Sequence, residues 1–137
     1  MHREVIKFTD YNGVERTMEA YFNLNKAELQ RMQMTTKGGY TEMLQKLIDA
    51  QDVPALYATF EKLVQQSYGE KSADGIQFRK SPQILDDFMS TEAYSELLMK
   101  ITNSADAAAK FVNGIMPRDL AEQAQKQQGN VSQFPMN

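Results

Sequence analysis

The sequence predicts an α+β fold, a mainly α-helical single domain with an N-terminal β-hairpin and a flexible C-terminal tail. Apolar and polar residues alternate on both sides of an Asn-Gly turn near the N-terminus, which is typical of two paired strands. From residue 25 to residue 117, apolar residues recur at helical spacing between capping residues, glycines and prolines. A length of 137 residues suits one domain with its own core.

The hairpin is predicted over residues 4–22, and its register follows from the length of its turn. A two-residue loop would place Ile6 opposite Glu19. A three-residue loop with Gly13 in the left-handed conformation places Ile6 opposite Met18, so that one face is apolar on both strands. We expect the longer loop. Because an isolated hairpin is marginal in water, this apolar face must pack on helices, gain another strand or pair with a partner.

Three helices are predicted after the hairpin. Asn25 opens a capping box with the glutamate three residues on, and a glycine pair later breaks the chain. Thr41 can cap a second helix. Asp52, followed by a proline in the first turn, starts a third helix, and Gly69 suits the position that ends it. The stripe of the third helix that we expect to be buried is Leu56, Phe60, Leu63, Val64 and Tyr68.

The rest of the domain is predicted as a loop followed by further helices. Residues 70–80 are expected to form a loop with a turn near Gly75 and a short extended piece at 76–78. Helices are expected to start at three serine or threonine positions and to end at one Asn-Gly pair. The three starts are expected at Ser81 before Pro82, at Ser90 or Thr91, and at Ser104. The last helix is expected to end at Asn113-Gly114.

The composition changes after Pro117. Glutamine dominates the remaining residues, and their few apolar side chains are scattered, which is typical of a segment that cannot bury a core. We therefore expect residues 1–117 to form the hairpin plus helical domain and residues 118–137 to form a Gln-rich flexible tail.

Charge and composition exclude several classes of function. Fifteen basic and eighteen acidic residues give a net charge of −3, which argues against nucleic acid as a partner. The absence of cysteine excludes a disulfide scaffold, a thiolate metal site and a cysteine nucleophile. No window approaches the roughly 20 apolar residues of a membrane span, and no signal peptide is recognisable. We expect a protein that is made and used inside a cell, with no membrane partner.

The residues that could perform chemistry form no recognisable constellation. His2, the single histidine, lies in a terminus that we expect to be mobile, with nothing nearby to hold it. Asp86 and Asp87 are adjacent, but consecutive helical residues point about 100° apart, so their carboxylates do not converge. The Lys37-Gly38-Gly39 segment lacks the remaining features of a phosphate loop. We expect no catalytic residue, no cofactor and no metal, and hence a protein that is not an enzyme.

Surface residues are therefore the candidates for function. The candidates for partner binding are Tyr94, Leu98, Phe111, Ile115, Met116 and Phe134. Tyr94 and Leu98 have a spacing that suits either a partner groove or the core, and Phe111 is open to the same two interpretations. Ile115 and Met116 flank a polar segment, and Phe134 lies within it. We expect such a segment to be unable to bury them, and residues of this kind often anchor a partner.

Several strings of the sequence resemble one protein family. They are Tyr11-Asn12-Gly13, Tyr21-Phe22-Asn23-Leu24, Tyr68-Gly69-Glu70-Lys71-Ser72, Asp74-Gly75 with Phe78, Thr91-Glu92-Ala93-Tyr94-Ser95-Glu96-Leu97, Ala108-Ala109 with Phe111, and Asn113-Gly114-Ile115 with Pro117. Over roughly residues 4–117, the chain resembles the small tail assembly chaperones of long-tailed (siphovirus) phages and prophages of Gram-positive bacteria.

The resemblance implies a non-catalytic protein of the bacterial host cytoplasm. Such a protein would bind the long tape-measure protein, keep it soluble and help deliver tail-tube subunits around it. The family also implies a longer product made by ribosomal frameshifting, and the Gln-rich tail lies where such a junction could fall. The alternative is a small structural virion protein of the tail or connector. Self-association stays open at this point.

Overall fold

A computed structural model describes residues 1–117, apart from the side chain of Ile48. Four strands and six helices follow one another within these residues. They are β1 (His2–Thr9), β2 (Glu15–Phe22), α1 (Lys26–Thr35), α2 (Tyr40–Ala50), α3 (Val53–Ser67), β3 (Tyr68–Lys71), β4 (Phe78–Arg79), α4 (Pro82–Met89), α5 (Glu92–Asn103) and α6 (Ala105–Ile115). The prediction of a mainly helical α+β domain that begins with a hairpin is confirmed. The predicted tail at 118–137 lies outside the described residues.

The β1–β2 hairpin has the predicted register. Ile6 lies opposite Met18, and Gly13 has a φ of +80°, as a three-residue loop requires. The N–H of Gly13 donates to the carbonyl of Asp10 at 3.0 Å, and the Asp10 carboxylate accepts from the N–H of Val14 at 2.9 Å. The turn is therefore held by one aspartate, and it directs the apolar side chains of both strands to the same face.

The segment predicted as a loop at 70–80 contains the second half of the sheet. β3 pairs antiparallel with β2 and with β4, so the strand order is β1-β2-β3-β4. The extended piece expected at 76–78 begins only at Phe78. Because β3 has four residues and β4 has two, neither strand is long enough to produce a clear alternation of apolar and polar residues.

Gly69 follows the end of α3 at the predicted position, since α3 ends at Ser67 with Tyr68 as its C-cap, but it does not have the left-handed conformation of a glycine cap. Gly69 lies inside β3 and is buried against the neighbouring strand. A Cβ added there would lie 2.7 Å from the carbonyl oxygen of Arg79 and 2.7 Å from the ring of Phe78. Glycine is therefore required at this position by the close approach of β4, since any side chain would push the two strands apart.

Most helices begin where the capping residues predict. The Asn25 side chain accepts from the N–H of Glu28 at 2.8 Å, and the Glu28 carboxylate accepts from the N–H of Asn25 at 2.9 Å. This is a complete capping box. The side chains of Asp52, Ser81 and Ser104 likewise accept from backbone N–H groups in the first turns of α3, α4 and α6.

Two helix ends differ from the prediction. α2 begins at Tyr40 rather than after Thr41, because the side-chain oxygen of Gln33 on α1 accepts from the N–H groups of both residues. α6 continues through Gly114 to Ile115. At the start of α2, a contact with the preceding helix therefore outweighs the local capping signal of Thr41.

The helices pack on the sheet around an aromatic core. The ring of Phe22 meets Phe111 edge to face, with ring centroids 5.3 Å apart, and meets Phe88 at 5.9 Å. The ring of Tyr68 stacks on Phe88 at 4.1 Å. Each fully buried side chain of this size contributes up to about 3 kcal/mol to folding. The core therefore joins α4 and α6 to the middle of the sheet.

Candidate partner-binding surface

Three of the residues predicted to bind a partner belong to the core. Leu98 is 4% exposed, and Phe111 and Ile115 are 0% exposed. The expectation that its polar surroundings cannot bury Ile115 is wrong. The carbonyl of Ile115 accepts from the N–H of Leu24 at 2.8 Å, which holds the end of α6 against the chain that leaves β2. The side chains of these three residues support the fold.

Two further candidates lie at or beyond the end of α6. Met116 is half-buried directly after the helix, so part of its side chain can reach a partner. Phe134 lies outside the described residues. A binding role for either residue stays a prediction.

Tyr94 occupies the boundary between the core and the surface. Its ring meets Phe88 edge to face, with centroids 5.6 Å apart. Its hydroxyl accepts from Nε2 of Gln65 at 3.0 Å and donates to the carboxylate of Glu61 at 3.3 Å. Burial of the ring raises the pKa of the Tyr94 hydroxyl above its ordinary value. These contacts fix the phenol between α5 and α3, with one edge accessible to solvent.

Tyr57 extends this surface along α3. The side chain of Tyr57 is 44% exposed and that of Val53 is 70% exposed. Val53, Tyr57 and Glu61 are four residues apart, so they lie close together along one side of the helix. Tyr94 reaches the same side of α3, since its hydroxyl donates to Glu61, one helical turn after Tyr57. We call Val53, Tyr57, Glu61, Gln65 and Tyr94 the tyrosine patch.

The tyrosine patch joins two exposed apolar side chains on α3 to a phenol whose hydroxyl is already bound. Tyrosines combine a large apolar area with a polar tip and are enriched where proteins bind one another. The carboxylate and the amide already bind the Tyr94 hydroxyl, which orients it. Sequence reasoning found Tyr94 but missed Tyr57 and Val53. The signal that could have found them is an apolar arc on α3 that is wider than its buried stripe.

His2 is held in place, contrary to the expectation of a mobile terminus. Its Nε2 is hydrogen-bonded to Oε2 of Glu4 at 2.6 Å, and its ring meets Phe111 edge to face at 5.4 Å. Oε1 of Glu4 accepts from Nζ of Lys100 at 2.9 Å. The hydrogen bond with His2, and then that with Lys100, lowers the pKa of the Glu4 carboxyl despite its burial. This cluster ties β1 to α5 and α6.

The described residues contain neither a metal-binding cluster nor a membrane-spanning helix. Between residues 1 and 117, no group of three or more His, Cys, Asp or Glu side chains is arranged to hold a metal ion. In the same part of the chain, no helix is long and apolar enough to span a membrane. Asp86 and Asp87 are both exposed, and the Asp87 carboxylate accepts from Gln83 one turn earlier at 2.8 Å.

Comparison with known proteins identifies one family model that matches this chain. A family model described as phage tail assembly chaperone matches residues 1–136. No curated protein and no solved structure matches the chain.

Proposed function

The chain belongs to the phage tail assembly chaperone family, and we propose that it binds the tape-measure protein and recruits tail-tube subunits during tail morphogenesis, without catalysis. The match of the family over residues 1–136 is the observation that carries this proposal. We place the activity in the cytoplasm of a Gram-positive bacterium infected by a long-tailed phage. The family resemblance found in the sequence supports this setting.

In this proposal, the tape-measure protein exposes an apolar surface that must be bound before the tail is assembled. A tape-measure protein is long and largely helical, and its apolar stripes would aggregate before a tail tube surrounds them. An amphipathic helix binds by placing residues spaced three and four apart against an apolar surface. The tyrosine patch supports this mode, since Val53 and Tyr57 offer exposed apolar area on α3 next to the fixed phenol of Tyr94.

The partner-binding candidates from the sequence take different roles in this proposal. Tyr94 and Met116 are proposed as direct contacts, because part of each side chain reaches the surface. Phe134 is proposed as a further contact at the C-terminal end. Leu98, Phe111 and Ile115 are proposed to act indirectly, by holding α5 and α6 in position.

Co-expression with the tape-measure protein encoded beside this chain tests the proposal. The full-length protein should keep the tape measure soluble and co-purify with it. Tyr57→Ala should reduce the co-purified tape measure by at least about fivefold, because a central aromatic contact contributes 1–2 kcal/mol or more to binding. Ile76→Ala is the matched control, since Ile76 is 82% exposed at the β3–β4 turn and should have no effect.

Two results would contradict the proposal at different levels. A tape measure that is equally insoluble with and without the chain would refute chaperone activity toward it. If the tape measure stays equally soluble with Tyr57→Ala and with Ile76→Ala, the chaperone function stands. The tyrosine patch would then be refuted as the binding surface for the tape measure.

A further inference from the structure

β1 is an edge of the sheet along its whole length. In residues 1–117, β2 lies on one side of β1 and no strand lies on the other side. β1 has eight residues and pairs with β2 without a bulge from His2 to Thr9. Proteins usually shorten, bend or interrupt such edges, because their free N–H and C=O groups can bind another strand. This edge contains no proline and no bulge.

The direction of the backbone groups on β1 follows from the turn. The N–H of Asp10 donates to the carbonyl of Val14 at 2.9 Å, and hydrogen-bonded pairs recur at every second residue of an antiparallel ladder. The even-numbered residues of β1 therefore bond to β2, and the odd-numbered residues point away from it. β2 obeys the same alternation, since the N–H of Asn23 donates to Ser67 on the β3 side at 2.7 Å.

The free edge consists of the backbone groups of Arg3, Val5, Lys7 and Thr9, which we call the outward row. No backbone or side-chain hydrogen bond from elsewhere in residues 1–117 reaches their N–H groups. The four side chains are exposed on the face opposite the helices. A strand added beside β1 would satisfy both the N–H and the C=O group of each residue in the row.

The outward row selects the charge of the strand that it can bind. Val5 is 45% exposed and lies between two cations. Arg3 forms an exposed ion pair with Glu19 on the outer face, and Lys7 forms no ion pair with any residue from 1 to 117. Side chains directly opposite one another on neighbouring strands interact, and like charges repel. Lys7 therefore favours an acidic residue opposite it, and the exposed guanidinium of Arg3 keeps N–H donors for a second carboxylate beside Glu19, so an acidic, apolar, acidic alternation complements this edge.

The inward-pointing carboxylate of Glu4 does not prevent another strand from pairing with β1. An inward-pointing charged residue commonly protects an edge strand, and Glu4 occupies that position. Its carboxylate is already bound by Nζ of Lys100 at 2.9 Å and by Nε2 of His2 at 2.6 Å. A compensated carboxylate repels an incoming strand less than an isolated one would.

The helix layer disfavours a second copy of this chain as the added strand. α5 packs against β1. If two β1 strands paired, the two α5 helices would lie over neighbouring strands about 4.8 Å apart, whereas packed helices need about 8–10 Å between their axes. An extended segment that carries no helix layer of its own avoids this clash.

We propose that β1 binds an extended acidic segment of a partner protein by strand addition. The segment places an apolar residue opposite Val5 and an acidic residue opposite each of Arg3 and Lys7. The identity of the partner as a tail protein rests on the proposed function, but the binding mode does not.

A synthetic peptide tests this binding mode on the full-length chain labelled with ¹⁵N. The probe is Thr-Glu-Thr-Val-Thr-Glu-Thr with blocked ends, whose glutamates flank its valine at the required spacing. NMR should show slower amide hydrogen exchange at the outward row, by at least about tenfold at saturation. Chemical-shift changes should centre on β1.

Two pairs of variants separate backbone pairing from charge. Val5→Pro removes one outward N–H at an edge position where proline is tolerated, and it should weaken peptide binding by about tenfold, as expected for one lost backbone hydrogen bond. Val5→Thr keeps the N–H and should bind within about threefold of the natural chain. Lys7→Glu should weaken binding of the peptide. A second peptide, with lysine in place of the glutamate that lies opposite residue 7, should restore binding to the Lys7→Glu variant.

Three results would overturn the proposal. These are no slowing of exchange at the outward row with millimolar peptide, binding unaffected by both Val5→Pro and Lys7→Glu, or a concentration-dependent dimer that protects the same amides without peptide. If Val5→Pro fails to fold, the charge-swap pair decides alone. Because the peptide is not a tail protein, its failure would leave the co-expression result standing, and failure of co-expression would leave peptide binding standing.

Discussion

Gly114→Ala should destabilise this protein, although alanine normally stabilises a helix interior by about 1 kcal/mol relative to glycine. Gly114 lies inside α6, and a Cβ added there would lie 2.8 Å from Cβ and from Cγ of His2. Real Cβ atoms do not approach so closely, so α6 or β1 must shift. Overpacking of this kind costs about 1–3 kcal/mol. Because Glu4 and Phe111 hold His2 in place, the overpacking cost outweighs the gain of about 1 kcal/mol in helix propensity, and we expect a net loss of up to about 2 kcal/mol.

Urea unfolding of the full-length chain, followed by far-UV circular dichroism, measures this loss. With a slope of about 2 kcal/mol per molar urea, the midpoint should fall by up to about 1 M. Asn113→Ala is the matched control, because Asn113 is the exposed neighbour on the same helix, and it should stabilise by a few tenths of a kcal/mol. In a His2→Gly background, Gly114→Ala should stabilise by up to about 1 kcal/mol.

The change of sign between the two backgrounds is the decisive result. If Gly114→Ala stabilised the natural chain as Asn113→Ala does, the close approach of α6 to β1 would be refuted. An equal loss in both backgrounds would show that the cost does not arise from contact with His2.

Three further predictions concern the core, the acid range and the C-terminal segment. Phe111→Ala should lower the free energy of unfolding by about 3–5 kcal/mol, because its buried ring leaves a cavity, and a loss below about 1 kcal/mol in urea would contradict this. The lowered pKa of Glu4 contributes stability that is present above its ordinary pKa of 4.5 and is lost as the pH falls through the lowered value. Glu4→Gln should therefore lessen the loss of thermal stability in acid below pH 4.5, and unchanged acid profiles would refute the cluster's contribution. A chain ending at Pro117 should keep its unfolding free energy within about 1 kcal/mol, since the described core ends at Ile115, and a loss of several kcal/mol would show that the last 20 residues are needed.

Local signals in the sequence predict the local parts of this fold well. The register of the first hairpin follows from the need to place Ile6 and Met18 on one face, and it is confirmed. The capping residues of α1, α3, α4 and α6 also have their predicted roles. Each of these features depends on residues within one turn of a helix or across one hairpin.

The sequence misjudges the roles of two glycines because each of them contacts another element of the fold. Gly69 and Gly114 were both predicted to end helices because glycine commonly does so. In the structure both allow a close approach, of β4 in one case and of His2 in the other. The sequence contains no local record of such neighbours.

The candidate surface was predicted in part, for the same reason. Tyr94 has a recognisable helical spacing, but its position against Glu61 and Gln65 depends on how α5 packs against α3. Ile115 was expected to be exposed because its sequence neighbours are polar, yet α6 buries it against the end of β2. Burial depends on the whole fold, so it cannot be read from the immediate surroundings of one residue.

The composition of finished virions distinguishes an assembly chaperone from a structural tail protein. Purified particles of a phage that encodes this chain should be compared by quantitative mass spectrometry with tape-measure complexes isolated from infected cells before assembly is complete. An assembly chaperone should accompany the unassembled tape measure and be absent from virions that contain tail-tube protein. If the chain were instead present in virions at a fixed copy number per tail, it would be a structural tail or connector protein. That result would contradict its function as an assembly chaperone.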